Sequence, residues 1–454
     1  MDEAEIRRTV QATNYVTWRR QGGWEPIVIT RAHGSTFWDG RGKAYLDLSS
    51  QLISSNLGHG NTAVVEAICE QARTLPYAGP GFATEARARL SATLGEVLPA
   101  GLRRYFFSTS GTEANEAALK IARVATGRSK VIARYRSYHG STAGSMSVTG
   151  DLRRRSSEHV QKVPGTVFAP DCYCYRCPFG LTYPDCDVAC AEYVDEQITH
   201  EGDVAAMIVE PIVGTNGVIV PVPEYLGRIR EITRRHDVLL IADEVMTGWG
   251  RAGDWFAVDH DQVRPDILTT AKGITGAYVP LGLTATTEEI FAHFTDHYFP
   301  HGHTYEAHPL TLAPGVAAIE EYRRLGLIEK SRRDGEYLLG RLREIAERHP
   351  SVGEVRGRGL FAAVELVKDR STREPFNTED DKLAGRPLVV DEVVQAMIKA
   401  GVYTFGWVSH ILIAPPLIVT REELDRGLDV LDNALSLADA RVTSPAAGSS
   451  TGSP

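Results

Sequence analysis

From about residue 100 the chain alternates short apolar runs with helix-like segments, and no other feature constrains its fold as tightly. "RRYFFSTS" precedes the helical pattern "TEANEAALKIARVATG". The runs "KVIARY", "AAMIVEPI", "DVLLIADEV", "DILTTAK" and "LGLTATT" read as strands, with "PEYLGRIREITRRH" as a helix between two of them. Runs without polar alternation are buried on both faces. Strands and helices taken in turn therefore predict an α/β fold, with helices packed on a mostly parallel sheet. One of these strands ends oddly. In "LLIADEVMTGWGRAG" two acids, Asp243 and Glu244, follow an apolar run that closes at Ala242. A carboxylate there has lost much of its water and needs a cationic partner, which no neighbouring Lys or Arg supplies.

The remainder of the 454 residues fits a satellite to that core or a second domain. After about residue 310, "LTLAPGVAAIEEYRRLG" and "EKSRRDGEYLLGRLREIAERH" read as long helices. "GEVRGRGLFAAVELV" and "HILIAPPLIVT" follow as strands of a separate small sheet. Thr420 and Glu423 form a capping box opening a last amphipathic helix. The tail "TSPAAGSSTGSP" is small and polar, and disorder is expected there. A formal charge of −9 argues against nucleic acid as a partner. No run approaches the ~20 apolar residues of a membrane span. The polar start "MDEAEIRRTVQATNYVTW" lacks a secretory signal's apolar core, so a cytoplasmic protein is expected. Five of six cysteines (Cys172, Cys174, Cys177, Cys186, Cys190) crowd one segment. A zinc site competes there with reduced, half-buried thiols, and the second reading is favoured because the pairs do not repeat a ribbon spacing.

Four segments carry candidate chemistry. In "STSGTEANEAALK", Ser110 and Glu113 fit a capping box, and Gly111 allows a tight turn into the helix. Ser110, Gly111 and Thr112 then form a helix start suited to a phosphate, although most capping boxes hold only their own helix. Lys272, in "PDILTTAKGITG", follows a short strand, where an enclosed lysine can act as an amine nucleophile. A solvated turn lysine is the commoner case. Tyr138 and His139 follow "KVIARY" in "YRSYHGSTAG", placing an aromatic ring where it can stack on a flat ligand or simply pack in the core. Thr304 lies in the loop-like "HGHTYEAHP". Ligands of such sheets sit at the carboxyl ends of the strands. A phosphate cradle, a stacking ring, a buried acid and an amine in that place suit pyridoxal 5'-phosphate, whose ring nitrogen is the cation Asp243 lacks.

The order and wording of these segments resemble the class III aminotransferases, from "RAHGSTFWDGRGKAYLDLSS" to "APPLIVTREELD". "IADEVMTGWGRAG", then "PDILTTAKG", then "HGHTYEAHP" carry most of the likeness. The resemblance implies the aspartate-aminotransferase-like fold type I. Residues 61–314 would form the large domain, 1–60 and 315–440 a small α/β domain, and 441–454 a disordered tail. It implies that Lys272 is the Schiff-base lysine and proton shuttle, and that Asp243 holds the ring nitrogen. Val245 and Tyr138 would pack on the two ring faces, Ser110, Gly111 and Thr112 would hold the phosphate, and His139 and Glu210 would lie beside the cofactor. It also implies a homodimer in which Thr304 reaches the neighbouring subunit's phosphate. The activity implied is transfer of an amino group from an ω-amino acid or amine to a keto acid such as pyruvate. A lyase, decarboxylase or racemase on the same scaffold is the alternative. The sequence departs from the family in places. Thr215 stands where some members carry a second acid in the loop after "EP", and Ser141 where some carry an arginine. No arginine precedes "APPL", where Phe405 and Trp407 stand instead, so a carboxylate must be gripped by another residue or one substrate lacks it. Ile53, Phe82 and Trp407 are expected on the amine side of the pocket. The insert "CYRCPFGLTYPDC" resembles the subset that includes taurine–pyruvate aminotransferases.

Overall fold

The computed structural model describes residues 1–157, 159 and 162–443, so most of the expected disordered tail, 444–454, lies outside the described residues. Ahead of it, Arg441 pairs with Glu392 and the Thr443 amide donates to the Lys368 carbonyl. The apolar runs form a seven-stranded sheet. Its strands are β1 (Leu102–Ser108), β2 (Lys130–Arg134), β3 (Thr166–Ala169), β4 (Val204–Val209), β5 (Leu239–Asp243), β6 (Ile267–Thr270) and β7 (Gly282–Thr287). Their spatial order is β1-β7-β6-β5-β4-β2-β3. Only β7 runs antiparallel to its neighbours. Strand β4 is buried along its whole length and β5 almost so, which is why both read as unbroken apolar runs. Strand β3, "TVFA", was not expected. It is a partly exposed edge strand of four residues, too short for a pattern to show.

The helix Gly111–Thr126 lies on this sheet through Ala114, Ala117, Ala118, Ile121 and Ala122, all buried. Small residues let it pack closely, and Gly127, at φ 67°, ends it. Since β1 to β6 share one direction, their carboxyl ends form a single edge. Ser108, Asp243, Thr270 and the residue after Val209 all fall on that edge.

The chain ends build two further sheets. Val402–Tyr403 pairs in parallel with Ala44–Asp47, joining it to the strands Ile29–His33 and Thr36–Asp39. Val352–Arg358, Phe361–Asp369, His410–Ile413 and Phe405–Trp407 form the second, the small sheet read from the sequence. The long helices Pro309–Arg324 and Leu327–Arg348 also stand where they were read, and the Thr420 capping box forms in full. No helix among the described residues is long and apolar enough to cross a membrane. Likewise, no cluster of three His, Cys, Asp or Glu side chains among them is arranged to hold a metal ion, and the six cysteines are all free thiols.

Candidate active site

A cavity of about 510 Å³ opens at the carboxyl edge of the sheet, large enough for a flat cofactor and a small substrate. Ser110, Gly111, Thr112, Tyr138, His139, Glu210, Asp243, Val245 and Lys272 all line it. These residues span 163 positions of sequence (272 − 110 + 1), and the sheet gathers them because each follows the end of a parallel strand.

At one end lies the start of the helix Gly111–Thr126. Ser110 caps it, its hydroxyl accepting from the Glu113 amide at 3.2 Å. The reciprocal half of the expected box is different: the Glu113 carboxylate accepts from the amide and hydroxyl of Thr109, at 2.7 and 2.6 Å. The cap occupies the Glu113 amide, while Gly111 and Thr112 line the cavity at the helix start, where the helix dipole favours an anion. Two glycines make this approach possible. A Cβ on Gly111 would stand 2.7 Å from Val245 Cγ1, and one on Gly282 would stand 2.3 Å from the Ser110 carbonyl oxygen.

At the other end Asp243 is nearly fully buried. Its Oδ2 lies 2.7 Å from both Asn115 Nδ2 and His139 Nδ1, and its Oδ1 accepts from the Val245 amide at 3.0 Å. Asn115 is itself fixed, donating to the His139 carbonyl and accepting from the Thr269 hydroxyl, both at 2.7 Å. Sequence reading missed Asn115 and Thr269. The signal available was a polar residue on the apolar face of the helix, four positions after Gly111. Glu210, also buried, accepts from the amides of Tyr138 and Gly214, and burial raises its pKa above the usual carboxylate range.

Lys272 leads the turn after β6 in the left-handed region, at φ 48°, a conformation unusual for a residue with a Cβ. Burial is the main cause that lowers its pKa to about 8, opposed by the negative charges of Asp243 and Glu210. About a tenth of this lysine is therefore neutral, nucleophilic amine near pH 7, far more than at the ordinary lysine pKa.

Other expected residues fall elsewhere. Thr304 is exposed and does not line the cavity of its own chain; its carbonyl accepts from the Tyr77 hydroxyl at 3.1 Å. Phe82 is 70% exposed. Ile53 and Trp407 share a buried apolar cluster that meets the cavity through Met246.

The lining fits pyridoxal phosphate by its own chemistry: an anion-seeking helix start, a buried acid without a full cationic partner, and an amine of lowered pKa in one enclosed space. Fold and cavity define a pyridoxal-phosphate-dependent enzyme of fold type I. A family model for class-III aminotransferases matches residues 18–435, and the chain belongs to that family. It is 35% identical to the leucine/methionine racemase of Thermococcus litoralis, over 91% of each chain. It is 34% identical to the taurine–pyruvate aminotransferase of Bilophila wadsworthia, over 92% of this chain and 94% of that protein. The solved taurine:2-oxoglutarate aminotransferase of Bifidobacterium kashiwanohense, in complex with the cofactor and glutamate, superposes with a TM-score of 0.92. The two share 37% identity over 98% of this chain and 99% of that one. The protein is a pyridoxal-phosphate-dependent aminotransferase, acting on an amine donor and a keto acid.

Proposed function

We propose that the amino donor is a small ω-amino acid or simple amine and the acceptor a keto acid such as pyruvate. The observation that carries this reading is the cavity itself, where the Lys272 amine shares about 510 Å³ with Asp243 and reaches the apolar Ile53–Trp407 cluster through Met246. The taurine aminotransferases among its relatives support a short donor. When bound, pyridoxal phosphate supplies an aldehyde that condenses with amines and a ring that takes up electrons as a bond at the substrate carbon breaks. The residues of the chain do the rest. Ser110, Gly111 and Thr112 would anchor the phosphate, and Val245 and Tyr138 would flank the ring. Asp243, braced by Asn115 and His139, keeps a proton on the ring nitrogen. Glu210 holds the Tyr138 and Gly214 amides in place beside it. Lys272 would hold the cofactor's aldehyde end and would serve as the base that lifts and returns the substrate proton.

A half-reaction tests this. Loaded enzyme mixed with an ω-amino acid and no keto acid is expected to lose its visible absorbance and yield pyridoxamine phosphate on denaturation. Retention of pyridoxal phosphate with release of a racemised or cleaved donor would instead select a racemase, lyase or decarboxylase.

The same reading includes a cytoplasmic homodimer, with residues 1–60 and 315–440 as a small domain beside the large domain 61–314. The pairing of Val402–Tyr403 with Ala44–Asp47 supports the shared small domain. For the dimer, Thr304 is flanked by two exposed aromatics, Tyr77 and Tyr305, whose rings meet in a patch suited to burial against a second copy. Thr304→Ala is expected to weaken cofactor retention about tenfold or more, the size of one lost hydrogen bond to a charged group. Mixing Lys272→Ala and Thr304→Ala chains should regenerate intact sites in the hybrid dimers, because the two residues come from different chains. Failure of the mixture to exceed the sum of its parents, or a monomer by ultracentrifugation, would remove this arrangement.

A further inference from the structure

The sequence lacks an arginine before "APPL", yet an acidic substrate needs a cationic grip. The structure supplies one from another segment. Arg153 is 4% exposed, and its guanidinium carbon lies 3.8 Å from the centre of the Tyr138 ring, 4.6 Å from Trp407 and 5.3 Å from Trp18. Asp151, equally buried, binds its Nε at 2.8 Å and its Nη2. That contact fixes one edge of the guanidinium and leaves Nη1 outside it. Other buried arginines are spent differently. Arg251 directs both Nη nitrogens at carbonyl and side-chain oxygens, and Arg134 points its pair at Cys172 and the Glu210 carbonyl.

We propose that Arg153, clamped by Asp151 and packed against Tyr138, Trp18 and Trp407, receives the anionic end, carboxylate or sulfonate, of the substrate. The inference rests on the aminotransferase reading and names the substrate chemistry of that site, with Arg153 just beyond the residues that line the cavity. Tyr138 connects the two places, lining the cavity around Lys272 with its ring against Arg153. The positive charge of Arg153 reaches the lysine, adding to the burial that lowers its pKa. A second cation, Lys382, lies 4.7 Å over the Trp407 ring, so two cations flank these aromatic faces. A guanidinium stacked on aromatic faces keeps its in-plane donors for an anion, which it binds in a geometry lysine cannot reproduce. Trp407, from the segment before "APPL" that lacks an arginine, thus supports one that comes from elsewhere.

The test compares anionic with uncharged-tail donors. Since Arg153→Met alone would strand a buried carboxylate, the variant is Arg153→Met with Asp151→Asn. The ratio of kcat/KM for β-alanine or taurine to that for n-propylamine is expected to fall at least about 30-fold, carried by KM, with pyruvate KM rising in parallel. Arg153→Lys should recover part of the loss. In the unaltered enzyme, propionate and methanesulfonate should compete with the acidic substrate and bind by calorimetry, whereas propanamide should not. A fall for only one anion class identifies which head group the site takes. An unchanged ratio, or equal binding of propanamide, overturns the proposal. If none of the donors converts the cofactor of the unaltered enzyme to its pyridoxamine form, the aminotransferase reading fails instead, and the calorimetric comparison still judges Arg153.

Discussion

Replacing Lys272 with Met is expected to abolish turnover, by at least about 10³-fold, while making the cofactor-free protein more stable. The first effect follows from two roles in one amine: the covalent anchor, and the base in contact with the substrate carbon, a role alone worth about 10²–10⁴. The second follows from burial. Lys272 has its pKa lowered from 10.5 to about 8, so the folded protein binds fewer protons than the unfolded chain between those values. Stability therefore rises with pH through that window, and below about pH 8 the folded state carries the cost of charging a buried amine. Methionine fills the same space without that cost. Its variant should be more stable near neutral pH by about 2–3 kcal/mol, with the gain vanishing toward pH 10.5, as read by denaturant melts of both proteins across pH. The same titration predicts that the unaltered apoprotein takes up cofactor faster as pH rises toward about 8, then levels off. Full catalysis by the variant would remove Lys272 from the mechanism. A stability difference independent of pH would show that its amine is not charged at a cost.

The strands that position the site were legible in the sequence because a parallel sheet buries both faces and leaves unbroken apolar runs, as in β4 and β5. Lys272 and Asp243 were legible for a related reason, since a charged residue directly after such a run is conspicuous. Asn115 was not, because an asparagine in "TEANEAALK" reads as a solvated helix residue until the sheet beneath it is known. Arg153 was hidden more thoroughly. "RRRSS" has the composition of an exposed helix turn, and only the approach of Tyr138, Trp407 and Asp151 from distant or irregular segments buries its first arginine. The Ser110 capping box was half right, because the choice of Glu113 between the amides of residues 109 and 110 depends on the backbone path out of β1. Periodicity reports what an element buries. It does not report which loops converge on its end.

Asp243→Asn is expected to lower kcat by about 10²–10³-fold, the scale of losing one preorganised electrostatic contact, and to cost about 1–3 kcal/mol of stability for the buried donor it leaves unpaired. The substitution need not move the loop. Asp243 Oδ1 accepts from the Val245 amide and can be replaced by the amide oxygen of asparagine without moving the loop. Oδ2 accepts from Asn115 and faces His139 Nδ1, so an asparagine NH₂ there meets one donor it cannot satisfy and a histidine that can switch tautomer to accept it. His139 Nε2 is buried with no hydrogen-bond partner among the described residues, so the switch exchanges an unmet acceptor there for an unmet donor. What asparagine cannot supply is negative charge. Without it the ring nitrogen loses its proton near neutral pH, and the ring no longer draws electrons from the substrate carbon. The loss should therefore fall on kcat rather than on cofactor affinity. A cofactor methylated at the ring nitrogen, which is permanently cationic, should recover much of the rate in the variant and little in the parent. Recovery in neither protein would assign Asp243 to holding the loop. An unaltered kcat would mean that a neutral ring suffices, and that the buried carboxylate at the end of β5 exists for some other cation.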